Sequence, residues 1–200
     1  MILGNCYTFL TMETITEFNT LKSPANGTGD REARSKRWYA VNVRSCCERK
    51  VAQKLKSLGI NTYVPIQKEI RQWSDRKKIV DIILIPMIIF IELEHERIHE
   101  VNQLSFVYDF VKAPGQKQPA IIPDYQIENL MFMVGDGDNG ISFSQNDYST
   151  GKLVSICRGK LKGLSGYVKN GSNGKTKIGI VINYLGCATV EVQISDLKLM

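Results

Sequence analysis

From Ile82 to Ile91 the chain runs through ten apolar residues without a charge or a hydrogen-bonding side chain, and only Pro86 interrupts the pattern. A helix crossing a membrane needs about 20 such residues, so this run has the length of a buried strand. Successive side chains on a strand point to opposite faces. Ile85, Met87, Ile89 and Ile91 would therefore oppose Leu84, Ile88 and Phe90, leaving a strand over 84–93 with no polar face. Such a strand needs a covering layer on each side, or a layer on one side and a docking partner on the other.

The 200 residues suffice for one medium domain or two small ones, and 43% hydrophobic with 23% charged residues excludes wholesale disorder. Five cysteines without a C-x-x-C pair fit reduced thiols, which makes the cytoplasm the expected compartment. The mildly apolar start has no preceding basic residue, and Glu13 and Glu17 follow, so no secretory signal is expected. The formal charge of +6 favours an acidic partner, and residues 37–134 and 135–200 carry +3 each.

Residues 1–36 end in a polar, Gly-containing stretch and read as a flexible extension. Aromatic and β-branched residues over 38–43 predict a first strand. In the helix that follows, Ser45 and Glu48 have capping-box spacing, Cys47, Val51, Leu55 and Leu58 form the buried stripe, and Gly59 is the stop. Arg49, Lys50, Gln53, Lys54 and Lys56 make the opposite, basic face. Strands over 60–66 and 70–73, a charged tip at 74–78 and the apolar strand over 84–93 come next. A helix over 94–103, a strand over 106–111 and a helix from Asp124 complete the order β-α-β-β-α-β-α. That order predicts an α+β domain over 37–134, an antiparallel sheet flanked by helices. Gly, Asn and Asp over 135–150 mark a linker, and short runs separated by Gly and Asn over 151–200 predict a small β-barrel.

His95, Glu96 and His99 form an H-E-x-x-H match, whose histidines could hold zinc on one helix face while the glutamate polarises water. Glu128 could supply a third ligand. Burying Ile98, Val101 and Leu104 turns both histidines to solvent, however, and the segment is too small for the two lobes of a zinc protease. Gly135, Gly137 and Gly140 match a dinucleotide pattern but follow a helix, and Asp136 and Asp138 would repel a pyrophosphate. The same aspartates begin like a calcium loop, yet Ile141 stands where the turn glycine belongs. Lys169 occupies the first glycine position of a P-loop ending at Gly174. Cys46 and Cys47 read as a helix start with one thiol buried. The basic helix face, Arg76 to Lys78 at the tip, and Lys160, Lys162, Lys169, Lys175 and Lys177 suit contact with a polyanion or a solvated surface.

Trp38 to Val41 (WYAV), Leu84 to Ile91 (LIPMIIFI), Phe106 to Val111 (FVYDFV) and Pro119 to Ile127 (PAIIPDYQI) together resemble the NusG N-terminal domain. Gly151 to Ile156 (GKLVSI), Lys162 to Gly166 (KGLSG) and Val190 to Ile194 (VEVQI) resemble its KOW barrel, with an SH3-like fold. Within the family the chain is more similar to operon-dedicated RfaH-like and UpxY-like antiterminators of polysaccharide loci than to housekeeping NusG.

The resemblance implies a non-enzymatic elongation and antitermination factor that needs no cofactor and no metal. It implies that Ile85, Pro86, Ile88 and Phe90 meet the clamp helices of the RNA polymerase β′ subunit, with His99 near the β subunit. The family's glycine or asparagine followed by tyrosine is replaced here by Met87 and Ile88. Arg44, Arg49, Lys50 and Lys54 match positions that touch non-template DNA in the transcription bubble. Leu185, Gly186 and Cys187 match the KOW loop that reaches ribosomal protein S10 or Rho. Two rival functions are a KOW-type RNA-binding or ribosome-associated module contacting nascent RNA, and a zinc hydrolase acting through His95, Glu96 and His99. No membrane contact is expected.

Overall fold

The computed structural model describes residues 35–73, 75–135, 140–145, 151–169 and 175–200. The extension predicted over 1–36 lies outside these, apart from its last two residues, as do Asp136, Gly137, Asp138 and Gly174.

Strand β1 (Arg37–Val43) lies inside an antiparallel sheet of order β2-β5-β1-β6, where β2 is Asn61–Tyr63, β5 Ile88–Leu93 and β6 Val107–Phe110. A further short strand, β7 (Ile121–Ile122), also pairs with β1. Helix α1 (Glu48–Ser57) supplies Val51 and Leu55 of the predicted stripe, whereas Cys47 and Leu58 cap its ends and Leu58 is exposed. Val51 and Leu55 pack with Tyr39, Val41, Ile89, Ile91 and Phe110 into a core on one side of the sheet. On the other side Ala40, Ile88 and Phe90 share a core with Ile127, Leu130 and Met133 of α3 (Asp124–Gly135). Both faces of β5 are covered, as an all-apolar strand requires.

The strand predicted over 84–93 starts only at Ile88 in the structure, and a strand that was not predicted precedes it. Lys77–Ile83 (β4) pairs with Ile66–Gln72 (β3) as a separate two-stranded ribbon, and 84–87 turn before β5 begins. Pro86 lacks a donor N–H and Met87 takes the left-handed conformation (φ 64°), so the pleat is broken there. The break also moves Ile85 onto the side of Ile88 and Phe90, whereas unbroken alternation placed it with Ile89.

The helix predicted over 94–103 is a 3-10 turn at His95–Arg97 leading into α2 (Ile98–Asn102). Cys47, and not Ser45, is the N-cap of α1, and it makes no side-chain capping bond, so the predicted capping box does not form.

The C-terminal residues form a second, six-stranded antiparallel sheet of order β13-β9-β10-β11-β12-β8. Its strands are β8 (Ile141–Gln145), β9 (Leu153–Ile156), β10 (Ser165–Lys169), β11 (Lys175–Ile182), β12 (Gly186–Gln193) and β13 (Leu197–Leu199). Four of these lie where the short apolar runs predicted them. β8 does not: it comes from the stretch read as linker, where Ile141 and Phe143 alternate with serines in the period of a strand.

The described residues form one compact unit. Val154, Ile178, Ile180, Ile182 and Leu185 of the second sheet belong to the same core as Ile85, Ile88 and Phe90. Among the described residues, Gln126 and Gln67 bridge the two parts. Gln126 of α3 donates from Nε2 to Asn183 Oδ1 (2.9 Å) and accepts the Asn183 N–H at Oε1 (2.9 Å). Gln67 of β3 accepts the Ile141 N–H at 3.2 Å.

Candidate functional site

The turn over 84–87 is held by the backbone and by one buried acid. Val43 N–H donates to Met87 O (2.8 Å), and Met87 N–H donates to Glu48 Oε1 (2.9 Å). Glu48 is 3% exposed, and its Oε2 has no hydrogen-bond partner among the described residues. It occupies the inward stripe of α1, three residues before Val51 and seven before Leu55, a spacing visible in the sequence. Its capping-box spacing from Ser45 points instead to a cap.

Of the four residues assigned to a partner surface, Ile85, Ile88 and Phe90 are buried and Pro86 is exposed. A groove of about 300 Å³ runs between Ile85 and Ile88 on one side and Phe143, Gln145, Tyr184 and Leu185 on the other. Of the loop assigned to a second partner, Leu185-Gly186-Cys187, Leu185 thus lines the groove opposite the first surface, and all three residues are buried. Tyr184, which precedes them, is left-handed (φ 64°), as Met87 is.

Arg44, Arg49, Lys50 and Lys54 are all exposed, at the end of β1 and along α1. Arg49 Nη2 donates to Asp81 Oδ2 of β4 (3.0 Å), and Lys50 Nζ lies 5.7 Å from the Phe106 ring centroid. The basic side chains are thereby fanned across the helix face, with the ribbon on one side and Phe106 on the other. A second groove, of about 370 Å³, separates α1 from the ribbon and is lined by Arg49, Gln53, Lys56, Thr62, Tyr63 and Ile66. The hydroxyls of Thr62 and Tyr63 are buried without a hydrogen-bond partner among the described residues. Burial pushes the Tyr63 phenol well above its ordinary range.

His95 and His99 are exposed, and His99 Nε2 is 2.9 Å from Gln103 Nε2. They sit in a 3-10 turn and an α-helix respectively, so the face-sharing of a continuous helix that the H-E-x-x-H reading needs is absent. Among the described residues no three His, Cys, Asp or Glu side chains gather closely enough to hold a metal ion. No described helix is long and apolar enough to cross a membrane.

An α+β sheet with a basic helix on one side and an apolar face on the other is thus set against a small antiparallel sheet. Residues 36–131 are a NusG-family domain: they match the family described as NusG, transcription termination factor nusG. Among solved structures the chain is similar to Thermotoga maritima NusG, described under "Domain interaction in Thermotoga maritima NusG", at 22% identity, covering 82% of this chain and 97% of that one with a TM-score of 0.45. It is also similar to the MjSpt4:Spt5 complex in conformation A, at 15% identity over 82% of this chain and 97% of that one, with a TM-score of 0.26. No curated protein sequence matches the chain.

Proposed function

We propose that this protein is a transcription elongation and antitermination factor, a specialised NusG paralogue dedicated to one operon, of the polysaccharide-biosynthesis type. It works by binding RNA polymerase and performs no catalysis. The observation that carries this reading is the apolar turn and strand of Ile85, Pro86, Ile88 and Phe90 within a NusG-family domain. These residues meet the β′ clamp helices, and His99 lies toward the β subunit. Arg44, Arg49, Lys50 and Lys54 meet non-template DNA in the bubble, a secondary contact suited to a charge of only +6. The second module carries a partner loop at Leu185-Gly186-Cys187 for ribosomal protein S10 or Rho. Because the second sheet covers Ile85 and Ile88, polymerase binding requires that sheet to move aside.

The test is retention of core RNA polymerase by the tagged chain. Pro86→Asp places a charge at an exposed position, so the variant keeps its melting temperature and loses polymerase affinity at least about tenfold, because a carboxylate buried in an apolar contact is costly. Undiminished retention by that variant overturns the assigned surface. Salt-sensitive RNA binding without polymerase retention would favour the RNA-binding alternative.

A further inference from the structure

The six-stranded sheet ends in a strand supplied by the segment that joins the two modules. β8 pairs with β12 from Ile141↔Val190 to Gln145↔Gly186 and stands last in the strand order. Behind it, residues 186–190 of β12 are buried throughout, so this edge requires a strand to lie on it.

β8 itself is weakly held. Only Ile141 is buried and Phe143 half-buried, while Ser142, Ser144 and Gln145 are exposed. Its side-chain ties to β12 both run through Thr189, whose Oγ1 lies 2.8 Å from Ser142 Oγ and donates to Ser142 O at 3.3 Å. Gly186, by contrast, is fitted to a strand on this edge. Its φ is +146°, and a Cβ there would stand 2.1 Å from Ser144 O and 3.0 Å from Gln145 Cα, both atoms of β8. On its outer side β8 bonds Gln67 through the Ile141 N–H and presents Phe143 and Gln145 to the groove opposite Ile85 and Ile88.

We propose that the β12 edge is a strand-addition site for an extended segment of a partner protein, held shut in this structure by β8. The inference rests on the reading of Leu185-Gly186-Cys187 as a partner surface and gives that surface a binding mode. An edge offers alternating N–H and C=O groups, which a peptide backbone matches and a phosphate backbone, an acceptor only, does not. β8 displays what the site accepts: apolar side chains two residues apart, as in Ile141 and Phe143, with small hydroxyl-bearing residues between them.

Exchange of strands also changes reach. While β8 is paired, residues 136–140 join α3 to the second sheet and span at most about 20 Å. Once it is displaced, residues 136–152 join α3 to β9 and span up to about 60 Å. Strand addition therefore frees the second module to leave the apolar turn.

The experiment uses the full chain, amide hydrogen exchange, and a fluorescein-labelled peptide of residues 139–146 (NGISFSQN). Ile141 directs its N–H to Gln67, so alternation leaves the Ser142 and Ser144 amides facing β12. These two exchange at least about tenfold faster than the amides of β11. The labelled peptide binds saturably to Phe143→Ser, at least about tenfold more tightly than to wild type, and adding Gly186→Ala abolishes that binding. Exchange of β8 at the rate of β11 overturns the proposal, as does absence of peptide binding to a Phe143→Ser chain whose circular dichroism matches wild type. Dimerisation of that variant in place of peptide binding assigns the edge to a second copy and overturns the partner-protein reading. Partner capture that survives Gly186→Ala keeps the loop as a binding surface and discards strand addition.

Discussion

Glu48 brings a carboxylate into the apolar stripe of α1 and uses it to hold the Met87 N–H. Removing an acceptor from a buried donor costs about 1–3 kcal/mol. Glu48→Ala is therefore expected to lower the unfolding free energy by about that amount in urea titrations, and Glu48→Gln, which keeps an acceptor at the same reach, to recover most of it. The inward position of Glu48 is legible from its spacing to Val51 and Leu55. Its bond to Met87 is not, because 39 residues separate the two and no local pattern joins them.

Met87 itself pays for a left-handed backbone with a side chain that is 40% exposed. Met87→Gly relieves that strain at little loss of packing and is expected to raise stability by about 1 kcal/mol, measured as a shift of the urea midpoint at constant slope. Tyr63 offers a pH test. Folding disfavours its ionised form, so Tyr63 has no pH-dependent effect below the ordinary tyrosine range and destabilises the fold as pH rises through it, where only the unfolded phenol ionises. Tyr63→Phe is accordingly expected to flatten the alkaline fall in melting temperature while leaving stability at neutral pH unchanged or slightly higher.

At the scale of elements, the sequence was readable wherever a long pattern repeats. The α1 stripe, the start of α3 at Asp124 and the runs that become β9 to β12 all follow periodicity or turn residues close to them in the chain. Elements recruited by pairing were not readable in this way. β4 was not expected, because its charged start lies in the predicted tip and its end, Ile82 and Ile83, belongs to the apolar run; only pairing with β3 marks it as a strand. β7 is two residues between prolines, and β8 lies among turn formers. The ribbon of β3 and β4 leaves Ile70 and Ile79 paired across it yet 68% and 64% exposed. Ile79→Thr, another β-branched residue, is expected to change the unfolding free energy by no more than about 0.5 kcal/mol, whereas Ile89→Thr, 0% exposed in β5, places a hydroxyl in the core and lowers it by at least about 1 kcal/mol. A large effect at Ile79 would mean that something in solution covers the ribbon.

For the whole molecule, a shared core and the paired amides of Gln126 and Asn183 set the two modules together. A double-mutant cycle of Gln126→Ala and Asn183→Ala is expected to give a coupling energy between about 0.5 and 3 kcal/mol, and each single variant to retain more polymerase than wild type. The packing of one module on the other could not be read from composition, because the apolar residues in that interface also make sense as core of their own half. The facing of Ile85 and Ile88 against Tyr184 and Leu185 has a thermodynamic consequence for the proposed function. Whatever binds either of these facing surfaces must separate the halves, and that cost, once met, is not met again. Linkage then makes the effect reciprocal: a partner on the second sheet raises affinity for polymerase by the same factor as polymerase raises affinity for that partner. The two ligands act as positive effectors of one another without sharing a single contact residue.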